Sequence, residues 1–176
     1  MYINSGLAFP KIFEWCYYLI ILDISCGDTA IRRAILTKLE KLYPGMYSDS
    51  NVALIGTHTH AGVGGYLNNL LPQFTSIGFV RQAFDAIVDG TLHAISEAHS
   101  SMAIGTLSIG NTTVYEGGIN RSPSAYLQNP PDERARYDGD VDHEMSLIRF
   151  EDNQGKILGF LSFFAVHGTS LYNVGL

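Results

Sequence analysis

Apolar positions along the chain fall into short continuous runs, helical stripes and alternating stretches. Tyr17 to Leu22 is a continuous apolar run closed by Asp23, the pattern of a strand buried on both faces. Asp28 can cap a helix running through about Tyr43. Within it Ile31, Ile35, Leu39 and Leu42 recur at near-helical spacing, and Arg32, Arg33, Lys38, Glu40 and Lys41 are left for solvent. Pro44-Gly45 stops it. A second buried strand, Val52 to Ile55, runs into Gly56-Thr57-His58-Thr59-His60, followed by the glycine-rich Gly62-Val63-Gly64-Gly65. A second helix is predicted from roughly Val80 to His99, with Phe84, Ile87, Val88, Leu92 and Ile95 on one face. Leu107, Ile109, Thr113 and Tyr115 alternate as in β-structure. Ile119 to Tyr137 reads as a polar, proline-containing loop too long to be a simple connector. Met145 to Phe150 and Ile157 to Val166 read as paired strands joined by a turn at Asp152-Asn153-Gln154-Gly155. Strands and helices interleave throughout, which predicts an α/β class: a mixed β-sheet with flanking helices.

Composition narrows this picture. The 176 residues are room for one domain, with no internal repeat, low-complexity tract or dividing linker. Hydrophobic residues make up 46% and charged residues 16%, which favours a packed core over disorder. The net charge of −6, with no run of basic residues, argues against a nucleic-acid partner. No apolar run approaches the roughly 20 residues of a membrane-spanning helix. Cys16 and Cys26 alone make neither a disulfide framework nor a thiolate zinc cluster. Met1 to Pro10 lacks the basic and cleavage features of a signal peptide. Asn111-Thr112-Thr113 fits the N-glycosylation acceptor pattern, a weak hint of secretion.

Candidate chemistry gathers where apolar strands end. His58 follows Val-Ala-Leu-Ile-Gly-Thr and His167 follows Phe-Phe-Ala-Val, and ligands in α/β sheets bind just outside the carboxyl ends of strands. If the strand continues through them, His58 and His60 share one face by period-two geometry. Imidazole is a standard zinc ligand, so His58, His60 and His167 are candidate ligands or groups just behind them. The alternative for each is a hydrogen-bonded structural histidine. Gly64 and Gly65 could let substrate approach the backbone closely, or form an ordinary turn. Arg121, in Asn120-Arg121-Ser122-Pro123, offers five donors for a carbonyl oxygen or developing oxyanion, or is a surface arginine. His93, His99 and His143 are read as structural. Arg134 and Arg136, interleaved with Asp132, Glu133 and Asp138, read as a solvated charged face.

Several segments together resemble the neutral ceramidase family of zinc-dependent amidohydrolases. They are Gly56 to Gly62, Thr75-Ser76-Ile77-Gly78-Phe79, Ile119 to Pro130, Glu133 to Tyr137, and Phe164-Ala165-Val166-His167-Gly168-Thr169-Ser170. They stand in the family's order at similar spacing, from about Ile21 to Ser170, with Val63 replacing a common proline. The resemblance implies hydrolysis of the ceramide amide bond to sphingosine and a fatty acid, in sphingolipid catabolism. It implies Zn2+ as cofactor, held in part by His58 and His167. It makes His60 and Arg121 the residues that contact substrate or stabilise the oxyanion.

The same resemblance implies that residues 1–176 are an incomplete catalytic domain, atypical over 1–17 and 171–176. The family's remaining zinc ligands, a glutamate and a tyrosine, and its serine-containing motif have no counterpart in this chain. A fragment with two of four ligands is expected to be inactive alone. For a complete enzyme the resemblance implies a secretory or membrane-associated setting and contact with a membrane surface. Two alternatives remain beside it. One is a β-barrel metal hydrolase with His-x-His on its first strand; the other is a dead fragment that binds lipid or a partner.

Overall fold

The computed structural model describes residues 18–168. Cys16 and the atypical ends expected over 1–17 and 171–176 lie outside the described residues. Those that are described divide into two compact units, 18–102 and 103–168.

The first unit is a βαβ element with a long additional helix. Strand β1 (Tyr18–Leu22) and strand β2 (Val52–Gly56) pair in parallel, with Tyr18 opposite Val52 and Leu22 opposite Gly56. Helix α1 (Thr29–Leu42) makes the crossover. Asp28 caps it as predicted: one carboxylate oxygen accepts from the Ala30 and Ile31 amides at 2.8 and 3.1 Å. Ile31, Ile35 and Leu39 lie one above another at i, i+4 spacing and are fully buried. Arg32, on the polar side, ties the helix to the entrance of β2, donating to Asp49 at 2.6 Å and to the Val52 carbonyl at 3.2 Å.

Two helices follow. Short α2 (Leu70–Thr75) is absent from the sequence expectation, and its Pro72 sits in the first turn, where a missing N–H costs nothing. Helix α3 (Arg81–Ser100) follows the predicted stripe, burying Val88, Leu92 and Ile95. It also buries Thr91, whose hydroxyl is satisfied by the Ile87 carbonyl at 2.6 Å. The stripes of α1 and α3 share one core with Ile20, Val52, Tyr47 and Tyr66. At the edge of that core His99 bonds Tyr47 at 2.5 Å and lies against the Tyr43 ring. No helix among the described residues is long and apolar enough to cross a membrane.

The second unit is an antiparallel sheet in the order β3-β4-β5: β3 (Gly105–Thr113), β4 (Glu144–Asp152) and β5 (Ile157–Phe164). Parallel and antiparallel pairing therefore both occur, in separate sheets among the described residues. The turn after β4 forms as expected, with Gly155 at φ +80 and the Asp152 carboxylate accepting from the Gln154 and Lys156 amides, each at 2.9 Å. The predicted alternation stops two residues early, since Tyr115 lies beyond β3. The long polar loop between β3 and β4 holds two single-turn helices, α4 (Pro123–Tyr126) and α5 (Pro131–Arg134). Each starts with proline, whose fixed φ and absent N–H suit a first helical position.

Candidate metal and active site

The site in the first unit begins where β2 runs out. The Thr57 amide donates to the Leu22 carbonyl at 2.8 Å, and the His58 amide to the Ile24 carbonyl at 3.1 Å. The two chains thus stay zipped past the end of the sheet. A Cβ on Gly56 would stand 2.9 Å from the Ile24 carbonyl oxygen, so only glycine permits this approach. The Thr57 hydroxyl donates to Asp23 at 2.8 Å and closes the same seam.

The strand does not continue through the histidines, as period-two geometry would have it. β2 ends at Gly56, and His58 takes the left-handed conformation, φ +63. For a residue with a Cβ that conformation costs on the order of 1–3 kcal/mol, and such strain tends to collect at functional sites. The turn nonetheless brings the two rings together: His58 Nε2 and His60 Nε2 are 3.2 Å apart, with the rings edge-to-face at 4.8 Å. Both residues are exposed.

The other ring nitrogen of His58 settles the tautomer. Nδ1 lies 2.7 Å from the Ser25 carbonyl oxygen, which can only accept, so Nδ1 carries the hydrogen. In the neutral ring Nε2 is then the lone-pair nitrogen. This is how metal-binding histidines are generally oriented, with one N–H given to a carbonyl or carboxylate. Imidazole nitrogens bond zinc at about 2.0–2.1 Å, so the His58–His60 pair fits a small cation.

The glycine-rich segment is anchored. Gly65 is buried at φ +78, its carbonyl accepts from the Val80 amide at 2.7 Å, and a Cβ there would strike Val80. Gly64 has open space where a Cβ would go. Just beyond, Tyr66 bonds the backbone of Cys26, and the second oxygen of Asp28 accepts from the Asn68 amide at 3.1 Å. A groove of about 540 Å3 runs along β1 and β2, and Arg32 in its lining is already paired with Asp49.

Of the other candidates, Arg121, His167, His143 and Asn111 belong to the second unit and His93 to α3 of the first. Arg121 is exposed at the start of the long loop, beside an Asn120 side chain that accepts from the Ser122 amide at 2.8 Å. His167 is exposed three residues past the end of β5. His93 faces Glu97 across one helical turn at 3.8 Å, and His143 lies against Tyr115. Asn111 is exposed on β3.

Residues 14–175 match the family model for neutral/alkaline non-lysosomal ceramidase, N-terminal. The chain belongs to the neutral ceramidase family. It is 43% identical over 150 residues to neutral ceramidase of Oryza sativa subsp. japonica, and 37% identical over 155 residues to that of Mycobacterium tuberculosis. These alignments take in 85% and 88% of this chain but 19% and 24% of the relatives. The crystal structure of neutral ceramidase from Pseudomonas aeruginosa superposes with a TM-score of 0.78 at 35% identity, over 85% of this chain and 23% of that one. The chain therefore spans about a fifth to a quarter of the length of these relatives.

Within this ceramidase-family chain, sequence reasoning missed the groups behind His58. Ser25 acts through a backbone carbonyl, which every residue has, so no side-chain signal marks it. Tyr66, directly after Gly65, reads as one more apolar residue until its hydroxyl is seen against Cys26.

Proposed function

We propose that this chain carries the zinc-site portion of a catalytic domain that hydrolyses the amide bond of ceramide to sphingosine and a fatty acid. The observation that supports it most directly is the orientation of His58: strained backbone, Nδ1 committed to a carbonyl, Nε2 turned toward His60. Family membership supplies the substrate class. In this reading His58 and His167 hold zinc. Bound zinc acts as a Lewis acid and makes water acidic enough to be a nucleophile near neutral pH.

The chain's own residues have distinct tasks. Ser25 holds the proton on Nδ1 and keeps Nε2 aimed. His60 stands next to that nitrogen and can hold a proton taken from water or pass one to the leaving nitrogen. Water oxygen adds to the amide carbon, the C–N bond breaks, and sphingosine leaves as the amine once its nitrogen is protonated. Arg121 supplies N–H donors to the oxygen on which charge develops. Gly64, with open space where a Cβ would stand, lets an acyl or sphingoid chain pass close to the backbone, whereas Gly65 is buried against Val80 and serves the turn. A membrane surface is where a complete enzyme would meet such a substrate.

A second reading is that the chain alone is a non-catalytic fragment. It is favoured by the span of about a fifth of the rice relative and by the exposed apolar faces of both sheets. Calorimetric zinc titration of the metal-stripped chain, with His58→Ala and His167→Ala, tests the ligand assignment. Each substitution is expected to weaken binding at least about 10-fold. Unchanged affinity in both overturns it. A ceramide assay on the 176-residue chain is expected to show turnover far below that of a complete relative. Turnover equal to that relative overturns the expectation of an inactive fragment.

A further inference from the structure

The Ser25–Cys26 peptide unit is held from both edges. In a trans peptide the carbonyl and the N–H point in opposite directions within one rigid plane, and the described residues contain no cis bond. The carbonyl edge, Ser25, accepts from His58 Nδ1 at 2.7 Å. The opposite edge, the Cys26 N–H, donates to the Tyr66 hydroxyl oxygen at 3.0 Å. The same hydroxyl donates onward to the Cys26 carbonyl at 3.0 Å. A hydroxyl has one hydrogen to give, so donating to one carbonyl while accepting from one N–H fixes its direction. The Tyr66 ring is 1% exposed and belongs to the core that includes Ile24, so the hydroxyl has no room to swing away.

We infer that Tyr66 is a positioning residue for the metal site, acting on His58 through the Ser25–Cys26 peptide plane. Its hydroxyl sets the tilt of that plane and so the aim of the Ser25 carbonyl. The carbonyl keeps the imidazole hydrogen on Nδ1 and the lone pair on Nε2. Core packing around one tyrosine ring is thereby converted into the tautomer of an exposed histidine. The functional meaning rests on His58 being a ligand, as proposed above; the effect on its tautomer does not.

Asp28 provides the contrast. It is buried in the same region and pins the stretch that follows Tyr66 through the Asn68 amide, yet it makes no bond to the Ser25–Cys26 peptide. A merely structural role for Tyr66 would make the two residues equivalent.

The experiment uses the whole metal-free chain and long-range 1H–15N spectra of the His58 ring, which distinguish the two neutral tautomers directly. Tyr66→Phe keeps the ring and removes the hydroxyl. The expected result is a folded variant in which the Nε2–H form of His58 becomes populated. Zn2+ affinity by calorimetry is expected to fall about 10-fold, the low end of what outlying partners of a metal ligand contribute. Asp28→Asn is expected to lower thermal stability and leave the tautomer as it was. Tyr66→Phe keeping His58 as firmly in the Nδ1–H form as the parent overturns the inference.

Should Tyr66→Phe lose its fold, 3,5-difluorotyrosine at position 66 keeps ring and hydroxyl while weakening the oxygen as an acceptor. The Cys26 amide and His58 Nδ1–H resonances are then expected to move together. A shifted Cys26 with an unmoved His58 overturns the inference as well. If the parent chain binds no Zn2+ but its tautomer still answers to Tyr66, the ligand reading fails and the positioning of His58 stands.

Discussion

The two units bury their apolar residues very differently. In residues 18–102 the stripes of α1 and α3 close on Ile20 and Val52, and every buried apolar side chain of the described residues lies between Ile20 and Ile95. In residues 103–168 the backbone is well paired, but no described residue is buried. One face of its sheet carries Leu107 opposite Phe150, and Ile109 opposite Ile148, which in turn faces Leu161. Leu107 and Ile109 remain 56% and 64% exposed. The difference teaches that regular hydrogen bonding and a core are separate achievements. A helix covering a sheet brings apolar groups together locally, whereas a bare three-stranded sheet needs something else to lie on it. An apolar face left in water is both unstabilised and an aggregation hazard.

The largest expected effect comes from breaking the core that exists. Leu39→Ala removes a fully buried side chain between α1 and its neighbours and is expected to destabilise residues 18–102 by about 2–5 kcal/mol. Denaturant unfolding followed by tyrosine fluorescence checks it. A loss under about 1 kcal/mol would mean that the first unit is no better packed than the second. Next comes Asp28→Ala, which strips the cap of α1 and the anchor of Asn68 together. A loss of about 1–3 kcal/mol is expected, the sum of a cap and a buried acceptor lost. Amide exchange at Ala30, Ile31 and Asn68 should accelerate more than at β4. The smallest effect is expected from Ile109→Thr, which keeps a β-branched side chain on β3. Its stability change should stay within about 0.5 kcal/mol, as for an uncovered surface position. Binding of a hydrophobic dye and aggregation on warming should both decrease. A loss of several kcal/mol at Ile109 would show that the face is covered in solution, and the contrast between the units would fall.

Much of the fold could be read from neighbours in the chain. β1, α1, β2 and α3 follow from apolar runs and stripes with their caps and stops, and the β4–β5 hairpin from its turn residues. The class, α/β, follows from their order. α2 was not visible, because six residues are too few to show a helical period and Pro72 reads as a breaker. The division into two sheets was not visible either, since pairing partners are chosen across long separations. At the site, the residue types and their place after a strand were legible, but the reason His58 and His60 meet was not. Alternation along a strand would align them; the structure brings them together through a left-handed residue instead.

Local order along the chain was sufficient for the helices, the caps, the hairpin turn and family membership, because each depends on residue types at fixed spacing. Which nitrogen of His58 carries its hydrogen is a different kind of property. It depends on a carbonyl 33 positions away and on the tyrosine that steadies that carbonyl from the core, 40 positions from Cys26. Only folding brings those groups within hydrogen-bond distance. A tautomer answers to what surrounds the ring in space, and no spacing along the sequence encodes that.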